Sequence, residues 1–499
     1  MKLDQFFTTR KERLAALSAK TYGKPLRTSL CYLDLNMYRH NTSVVSRFDD
    51  WHHHFKLQMM AIGKRRFLFN NAGNIIEVTD PLRPTMFAKG AFARGPHQLA
   101  YNERLGKWIL IVGARVPGTY PTTQWPLGKY GDAALVERSV NHKGLRGIRI
   151  YDATDPANIH LLSEWSCDLG DPAREHQTGG GAPDVFYDGG RYAYVEGVPD
   201  DSFIQFECCW RVHGSCVQIL DVADPTKPRF VANWWVPGQR IGEEAEATKW
   251  PEYGDCESSN CLHTSFFMPV RAENGGRYAY SCWGSMGLFI HDMSDITAPR
   301  VVGRFNPPKA PGSWPFHTPD ITKLTRGFVI TNPEPLYPDA GEAYQPLYVI
   351  DVTNPAEPRE ISQLPVPVPP SDAPYKTFDD KRGRFGPHNP PFLKAPGKPD
   401  PNFTAYSFFN AGLQLYDLSD PAKPRISGYF IPPQAGQSED SDSHNRDVDV
   451  IFVEWDRRLI WVGSLTGLYC ISTPLLGDPV LEPLRVSEWA LPHINRGHP

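Results

Sequence analysis

The sequence predicts an all-β protein: a seven-bladed β-propeller of four-stranded blades, with long loop insertions and an N-terminal arm. Two observations indicate this fold. One short phrase recurs seven times along the chain, and each copy lies among other short β-rich runs. The 48 prolines and 41 glycines fall between these runs, as is typical of turns. Four short strands per repeated unit are the pattern of a propeller blade.

The recurring phrase is clearest at residues 412–425, which read GLQLYDLSDPAKPR. An alternating strand, a turn made by Asp and Pro, and the start of a second strand predict a β-hairpin. Proline presets φ in the turn, and the preceding aspartate can cap it with its side chain. The seven copies lie at residues 75–84, 147–156, 217–229, 287–300, 347–359, 412–425 and, in degenerate form, 467–485.

Further β-rich runs complete each predicted blade. A run such as RYAYV at residues 191–195 precedes most copies, and a run such as residues 230–236 follows each copy. One more run at the start of each unit brings the number of strands to four. Residues 1–50 precede the blades and are predicted to form an arm packed on the propeller, which spans residues 51–499.

The phrases LYVIDVTNPAEPR, VQILDVADPTKPR and GLQLYDLSDPAKPR resemble the LVIVD repeat, a β-propeller repeat of bacterial and archaeal proteins. The resemblance covers about residues 52–490 and implies the propeller fold. It implies no particular chemistry, because one fold supports many functions.

Composition argues against several kinds of partner. The chain has 52 basic and 56 acidic residues, a formal net charge of -4 and no long run of either sign. This balance disfavours nucleic acid or an anionic membrane as the main partner. We expect neither a signal peptide nor a membrane span, because no apolar run is long enough. The nine cysteines, an odd number, then favour reduced thiols in a cytoplasmic protein.

One histidine stands near the start of each predicted blade. The innermost strand of a blade lines the central channel, so these imidazoles are predicted to form a ring around the axis. Imidazole is the commonest protein ligand for transition metals, and three or four suffice for one ion. His54 is the least certain member, since His52 and His53 offer other registers. The predicted ligands are drawn from His97, His176, His263, His317, His388 and His444.

Polar residues accompany these histidines. The next residue is Gln98, Gln177, Thr264, Thr318, Asn389 or Asn445 in six blades. Strand alternation predicts that this side chain faces away from the histidine and ties neighbouring blades together. Three carboxylates beside the ring are candidates for acid or base catalysis, or for orienting an imidazole. They are Glu175, Asp320 and Asp447.

These features predict a metal-dependent enzyme with one transition ion on the axis, iron being favoured over zinc, copper or manganese. Iron would permit oxygenase-type chemistry on an aromatic or other apolar small molecule. The architecture is similar to that of the carotenoid cleavage oxygenases, seven-bladed propellers that hold iron with four histidines, but their sequence is not seen in this chain. Two alternatives stay open. The ion could serve a redox-neutral hydrolase or lyase, or the ring could be structural in a non-catalytic binding propeller.

Long insertions between the predicted strands are expected to cover one mouth of the channel, where substrate would enter. Loops of such length in a compact fold are usually functional. They lie at residues 116–145, 196–215, 238–262, 334–345 and 365–385.

Overall fold

A computed structural model of the chain describes residues 33–51, 55–115, 142–167, 180–199, 206–208, 211–213, 216–238, 240, 243–247, 249, 264–307, 316–335, 344–434 and 447–490. Within these residues, seven antiparallel sheets of four strands surround one axis, which confirms the predicted seven-bladed propeller. Inner strands of most neighbouring blades contact one another, and those of the last and first blades meet.

Two strands of the N-terminal arm come first, β1 (Tyr38–His40) and β2 (Ser43–Phe48). Blade one contains β3 (Leu57–Ile62), β4 (Arg65–Asn70), β5 (Ile75–Glu77) and β6 (Thr85–Ala88). Blade two contains β7 (His97–Asn102), β8 (Lys107–Ala114), β9 (Gly147–Asp152) and β10 (His160–Ser166). Blade three contains β11 (Gly181–Tyr187) and β12 (Tyr192–Val198), then, after the small hairpin of β13 (Phe206–Cys208) and β14 (Arg211–His213), β15 (Cys216–Asp221) and β16 (Arg229–Trp234).

The remaining blades follow in the same direction around the ring. Blade four contains β17 (Thr264–Phe267), β18 (Tyr278–Cys282), β19 (Leu288–Asp292) and β20 (Arg300–Phe305). Blade five contains β21 (Thr318–Asp320), β22 (Phe328–Asn332), β23 (Tyr348–Asp351) and β24 (Arg359–Gln363). Blade six contains β25 (Phe403–Ser407), β26 (Leu413–Asp417) and β27 (Arg425–Ile431), and blade seven contains β28 (Val448–Glu454), β29 (Leu459–Ser464) and β30 (Gly467–Ser472).

Helical structure in the described ranges is limited to one α-helical turn, Glu244–Ala247, and to 3₁₀ turns at Ala272–Asn274, Gly284–Met286, Leu324–Arg326 and Phe378–Asp380. A membrane-spanning helix needs about 20 apolar residues. None of the helices in the described part of the chain approaches that length.

The strands of the arm pair with the last two blades. β2 pairs antiparallel with β30 and is the outermost strand of blade seven. β1 pairs with β27, the strand that follows the hairpin copy of blade six, and is therefore an additional strand at the outer edge of that blade. The prediction that a fourth strand follows every hairpin copy is therefore wrong for the last copy, because residues 473–490 contain no strand. The ring is closed by pairing the beginning of the described chain with its end.

Blade six has an irregular inner edge. The segment at residues 386–396 lies against β25, where the His388 N–H donates to the Ser407 carbonyl (2.8 Å) and the Ser407 N–H donates to the Asn389 carbonyl (3.1 Å). Pro390 and Pro391 follow directly. Proline has no N–H to continue a ladder, so the segment runs beside the axis without forming a regular strand.

Blades seven and one are joined by a buried ionic cluster. Arg66 on β4 lies 2.9 Å from Glu454 at the end of β28, and neither side chain is exposed to solvent. Arg457 also contacts Glu454 (2.8 Å), and Trp461 Nε1 donates to it (2.9 Å). Apolar side chains of blades six, seven and one pack together around these groups, so the closing joint of the ring is part of the core.

The repeated turns are capped by aspartates at the end of the third strand. Asp292 Oδ1 accepts the Ser294 N–H (2.9 Å), and Asp417 Oδ1 accepts the Ser419 N–H (2.8 Å). These bonds, with help from Arg277 and Arg425, lower the pKa of each carboxyl group to about 2. The pKa is also lowered at the equivalent aspartates Asp152, Asp221 and Asp351.

Because the pKa of these groups is lower in the folded chain than near 4 in the unfolded chain, their contribution to stability is complete above about pH 4 and is lost as the pH falls toward 2. We expect the urea midpoint of unfolding to fall over this window. The double variant Asp292→Asn/Asp417→Asn should show a shallower fall than the wild type. Asp372→Asn, at an exposed position outside the hairpins, is the control. An unchanged slope in the double variant would contradict this account.

Candidate metal centre

Two imidazoles and one carboxylate converge beside the axis. One potential ligand atom from each of His317, Glu334 and His388 lies within 4.8 Å of the others, and all three residues are buried. His317 Nε2 is 3.4 Å from Glu334 Oε2, and His388 Nε2 is 3.7 Å from Glu334 Oε1. The two imidazole centroids are 5.0 Å apart.

Neighbouring strand ends bring these residues together. His317 directly precedes β21, and its N–H donates to the Asn332 carbonyl at the end of β22 (2.8 Å). Glu334 stands two residues after β22, so it lies at the same end of blade five. His388 belongs to the irregular inner edge of blade six, and the Asn332 side-chain amide donates to its carbonyl. Asn332 therefore ties the two blades together at the point where the histidines meet.

Each member of the group is held by a further residue. His388 Nδ1 contacts Asp449 on β28 twice, at its main-chain carbonyl (2.8 Å) and at Oδ1 (2.5 Å), and Thr318 Oγ1 lies 2.7 Å from His317 Nδ1. A hydrogen bond at Nδ1 orients an imidazole so that Nε2 can bind an ion. Arg384 Nη1 donates to Glu334 Oε1 (3.1 Å). The ligand atoms are thus positioned by side chains from blades five, six and seven.

The two histidines differ in their electrostatic environment. Burial lowers the pKa of His317 to about 3, so its imidazole is neutral at pH 7, as a metal ligand must be. Burial also disfavours the charged form of His388, but Asp449 and Glu334 outweigh it and raise the pKa of His388 above its ordinary value. In acid, protons would compete with an ion for His388, so metal binding should weaken as the pH falls.

This donor set fits a transition metal. Two imidazole nitrogens and a carboxylate oxygen are the ligands that mononuclear Fe(II) sites use while leaving positions open for other molecules. Catalytic zinc sites use the same three donors. A cluster of only oxygen ligands would instead suit calcium or magnesium. His317, Glu334 and His388 would therefore hold iron or zinc.

A cavity of about 80 Å³ adjoins the group and includes His317 and His388 in its wall. Residues from blades one to six contribute to the wall, which places the cavity on the propeller axis. Much of the lining is apolar, with four phenylalanines, Phe55, Phe186, Phe267 and Phe392. An ion pair crosses the cavity wall from blade one to blade three, with Lys56 Nζ 2.5 Å from Asp184 Oδ2.

The third described histidine of the predicted ligand set lies apart from this group. His97 is fully buried, with its ring 5.6 Å from that of Phe92. Burial, assisted by the charge of Lys56, lowers its pKa to about 3. It does not line the cavity, whereas the following residue, Gln98, does. His54, His176, His263, His444 and Glu175 lie outside the described residues.

Two of the predicted catalytic carboxylates are described, and both lie in other surroundings. Asp320 Oδ1 accepts hydrogen bonds from the Thr322 N–H (2.9 Å) and hydroxyl (2.6 Å), which is a turn cap. Asp447 accepts a hydrogen bond from Gln434 (2.6 Å), and burial raises its pKa to about 6. Neither belongs to the His317, Glu334 and His388 group.

The residue after the histidine faces away from it as predicted at Gln98, but at Thr318 and Asn389 the prediction of opposite sides is wrong, because both line the axial cavity together with their histidines. Gln98, Thr318 and Asn389 all line the axial cavity. His97 and Gln98 point to opposite sides of β7, as strand alternation requires, and the side chain that faces the axis is that of Gln98. His317 and His388 stand outside regular strands, so the period of two does not apply to them, and each shares the cavity with its neighbour.

Three residues around the metal group carried weaker sequence signals. Glu334 lies between Pro333 and Pro335 directly after a predicted strand, and it opens one of the long insertions. Arg384 lies in another insertion. Asp449 interrupts the apolar run of β28 and is fully buried, whereas the predicted carboxylate, Asp447, lies two residues earlier. A charged residue within an apolar strand is a signal that could have identified Asp449.

The fold and the site together define a β-propeller with a buried group of two histidines and a glutamate beside an axial cavity. No protein-family model matches the chain, and no curated protein matches it.

Several solved structures are similar in fold. A putative 6-phosphogluconolactonase from Bacteroides fragilis has 11% identity and a TM-score of 0.41, covering 93% of this chain and 98% of its own. Raptor from Chaetomium thermophilum has 9% identity and a TM-score of 0.46, covering 88% of this chain and 30% of its own. The computationally designed Ika8 protein has 7% identity and a TM-score of 0.40, covering 86% and 99%. Likenesses this distant carry no information about function.

Proposed function

We propose that the protein is a metal-dependent enzyme that binds one transition-metal ion through His317, Glu334 and His388, and that it is an oxygenase-type oxidoreductase using iron. The convergence of these three side chains beside the axial cavity is the observation that carries the proposal. Two histidines and one carboxylate leave coordination positions open, which an oxygenase needs for its substrates. Iron bound there would supply redox chemistry with dioxygen.

The surrounding residues would prepare the site for that ion. Asp449 would hold a proton on His388 Nδ1, which turns the Nε2 lone pair toward Glu334. Arg384 would fix Glu334 and partly balance its charge. Phe186, Phe267 and the other apolar residues of the wall would keep bulk water from the reacting molecules.

The cavity limits the substrate. Its volume, about 80 Å³, is roughly half that of a cavity known to admit benzene. This volume favours a small apolar molecule of a few carbon atoms over a larger aromatic substrate. We further propose, from the repeated hairpin phrases and from the reduced state expected of the cysteines, that the protein is an LVIVD-repeat propeller of the cytoplasm.

The same three ligands also favour a second candidate, a redox-neutral hydrolase or lyase that uses zinc. The identity of the ion separates the two candidates. Protein produced with iron, zinc, copper and manganese supplied should be purified and its metals quantified. The oxygenase proposal expects about one iron per chain, and nitric oxide, which binds ferrous iron in place of dioxygen, should give a high-spin electron paramagnetic resonance signal.

Stoichiometric zinc, with no nitric oxide signal after anaerobic loading with Fe(II), would overturn the oxygenase and support the zinc enzyme. Less than about a tenth of an equivalent of any transition metal would count against both and favour a non-catalytic propeller.

Asp449 provides a separate prediction. Asp449→Asn should weaken metal binding by roughly 10- to 100-fold, because removal of an orienting carboxylate typically costs that much. The variant should remain folded, since asparagine has nearly the same shape as aspartate. Competition with a calibrated chelator measures the affinity, and Asp320→Asn, a buried aspartate outside the group, is the matched control. Equal affinity in Asp449→Asn and wild type would show that Asp449 does not orient His388.

A further inference from the structure

A second chemically unusual group lies in the axial cavity. Lys394 follows His388 by six positions along the inner edge of blade six, and its side chain lines the cavity while being only 6% exposed. Buried lysines are rare in proteins unless they are paired or functional. Lys394 neither binds nor positions the proposed metal ion.

The contacts of Lys394 hold its amine in a defined orientation. Nζ donates one hydrogen bond to Gln98 Oε1 (2.5 Å) in blade two and one to the Tyr187 carbonyl (2.7 Å) in blade three. The nitrogen is tetrahedral, so its bond to Cε and these two donated protons use three of its four directions. These two hydrogen bonds leave the fourth direction, and the side chain lines the cavity. In a neutral amine that direction carries the lone pair.

The surroundings favour the neutral amine. Burial, opposed by Asp188 and Asp184 and assisted by Lys56, lowers the pKa of Lys394 to about 7. No carboxylate is among the two hydrogen-bond acceptors of Nζ. The ring of Phe186 lies 6.0 Å from Nζ, so one side of the amine faces apolar surface. A desolvated lysine next to another cation is the usual form of an amine nucleophile.

We propose that Lys394 captures a small aldehyde or ketone in the axial cavity as an imine. The lone pair of Nζ forms a bond to the carbonyl carbon, and the two amine protons pass to the carbonyl oxygen, which leaves as water. No oxidant or further reactant is required. A carbonyl compound of about three carbons suits the cavity of about 80 Å³. Formation of the imine requires no metal ion, so its test is independent of the test of the metal centre.

The test is reductive trapping of the wild-type protein at pH 7 with propanal and cyanoborohydride, followed by peptide mass spectrometry. At this pH an ordinary surface lysine has on the order of 10³-fold less neutral amine than a lysine of pKa 7. We expect propyl-Lys394 to form at least tenfold faster than the adduct of any surface lysine. The preference should disappear when the same labelling is done in denaturant.

The chain offers an internal control. Lys323 is fully buried, its Nζ donates to the Asp400 carbonyl (2.7 Å), and burial lowers its pKa to about 8, but it does not line the cavity. It should remain unmodified in the folded protein. Preferential labelling of Lys394 but not Lys323 would show that the cavity, and not burial alone, directs the reaction.

A variant tests the role of Gln98. Gln98→Glu places a carboxylate against Nζ and should hold the amine as ammonium, so trapping at Lys394 at pH 7 should fall at least tenfold and recover at pH 10. If Lys394 in the wild-type protein reacts no faster when folded than when denatured, the proposal is overturned. Lys394 would then only hold blades together through its hydrogen bonds.

Discussion

Replacing either histidine of the metal group should abolish stoichiometric metal binding. In His317→Ala and His388→Ala, we expect the metal content to fall from about one ion per chain to less than about a tenth. Loss of an orienting partner alone costs roughly 10- to 100-fold in affinity, and loss of a direct ligand should cost more. Glu334→Gln should have a comparable effect, because the amide removes the anionic ligand and leaves Arg384 beside a neutral group.

Metal analysis after gel filtration measures this result, and circular dichroism checks that the β structure is retained. His291→Asn is the matched control, because His291 is a fully buried strand histidine that belongs to no such group among the described residues. His176→Ala, His263→Ala and His444→Ala test the predicted ligands outside the described residues. Retention of a full equivalent of metal in both His317→Ala and His388→Ala would refute the proposed centre.

Replacing Glu454 by glutamine should cause a large loss of stability. Burial opposes ionisation of Glu454, but Arg457 and Arg66 outweigh it and lower the pKa of its carboxyl group. In Glu454→Gln both guanidinium groups stay buried while their shared anion is removed. Breaking a buried ion pair in this way costs about 3–5 kcal/mol, and we expect the lower end of that range because Arg66 keeps its contact with Asp456 (2.6 Å).

Urea unfolding followed by tryptophan fluorescence measures the loss, since Trp461 contacts Glu454 directly. The control is Glu164→Gln, which removes a partly exposed ion pair with Arg149 (2.9 Å) and should cost less than about 1 kcal/mol. If the two variants lose the same free energy of unfolding, the buried cluster does not secure the joint between blades seven and one.

The repeat made the fold predictable because each hairpin is a local signal. An Asp-Pro turn between two alternating runs specifies its structure within about a dozen residues, and seven copies specify the ring. The closing of the ring was not predictable in this way. β2 pairs with β30 because the edge of that sheet is still unpaired. The sequence of β2, SVVSRF, does not indicate which sheet it will join.

The candidate centre was predictable only in part. His317 and His388 were in the predicted ligand set because they share a register in the repeats, and the structure brings them together. Glu334 and Asp449 have no equivalent in the repeat, so the register could not single them out. Asp449 reaches His388 across 61 positions of sequence, a contact that depends on two blades being adjacent in space.

The pairing of β2 with β30 also has a consequence for biosynthesis. Ser43 pairs with Ser472, about 430 positions later, so the final sheet cannot form until nearly all of the described chain has emerged from the ribosome. Pairing over such a distance is slow, and β2 presents an unpaired edge in the meantime. The nascent chain should therefore depend on protection from aggregation late in synthesis. Once the sheet has formed, β2 and β30 hold each other in place. Neither strand can then detach without breaking the hydrogen bonds between them.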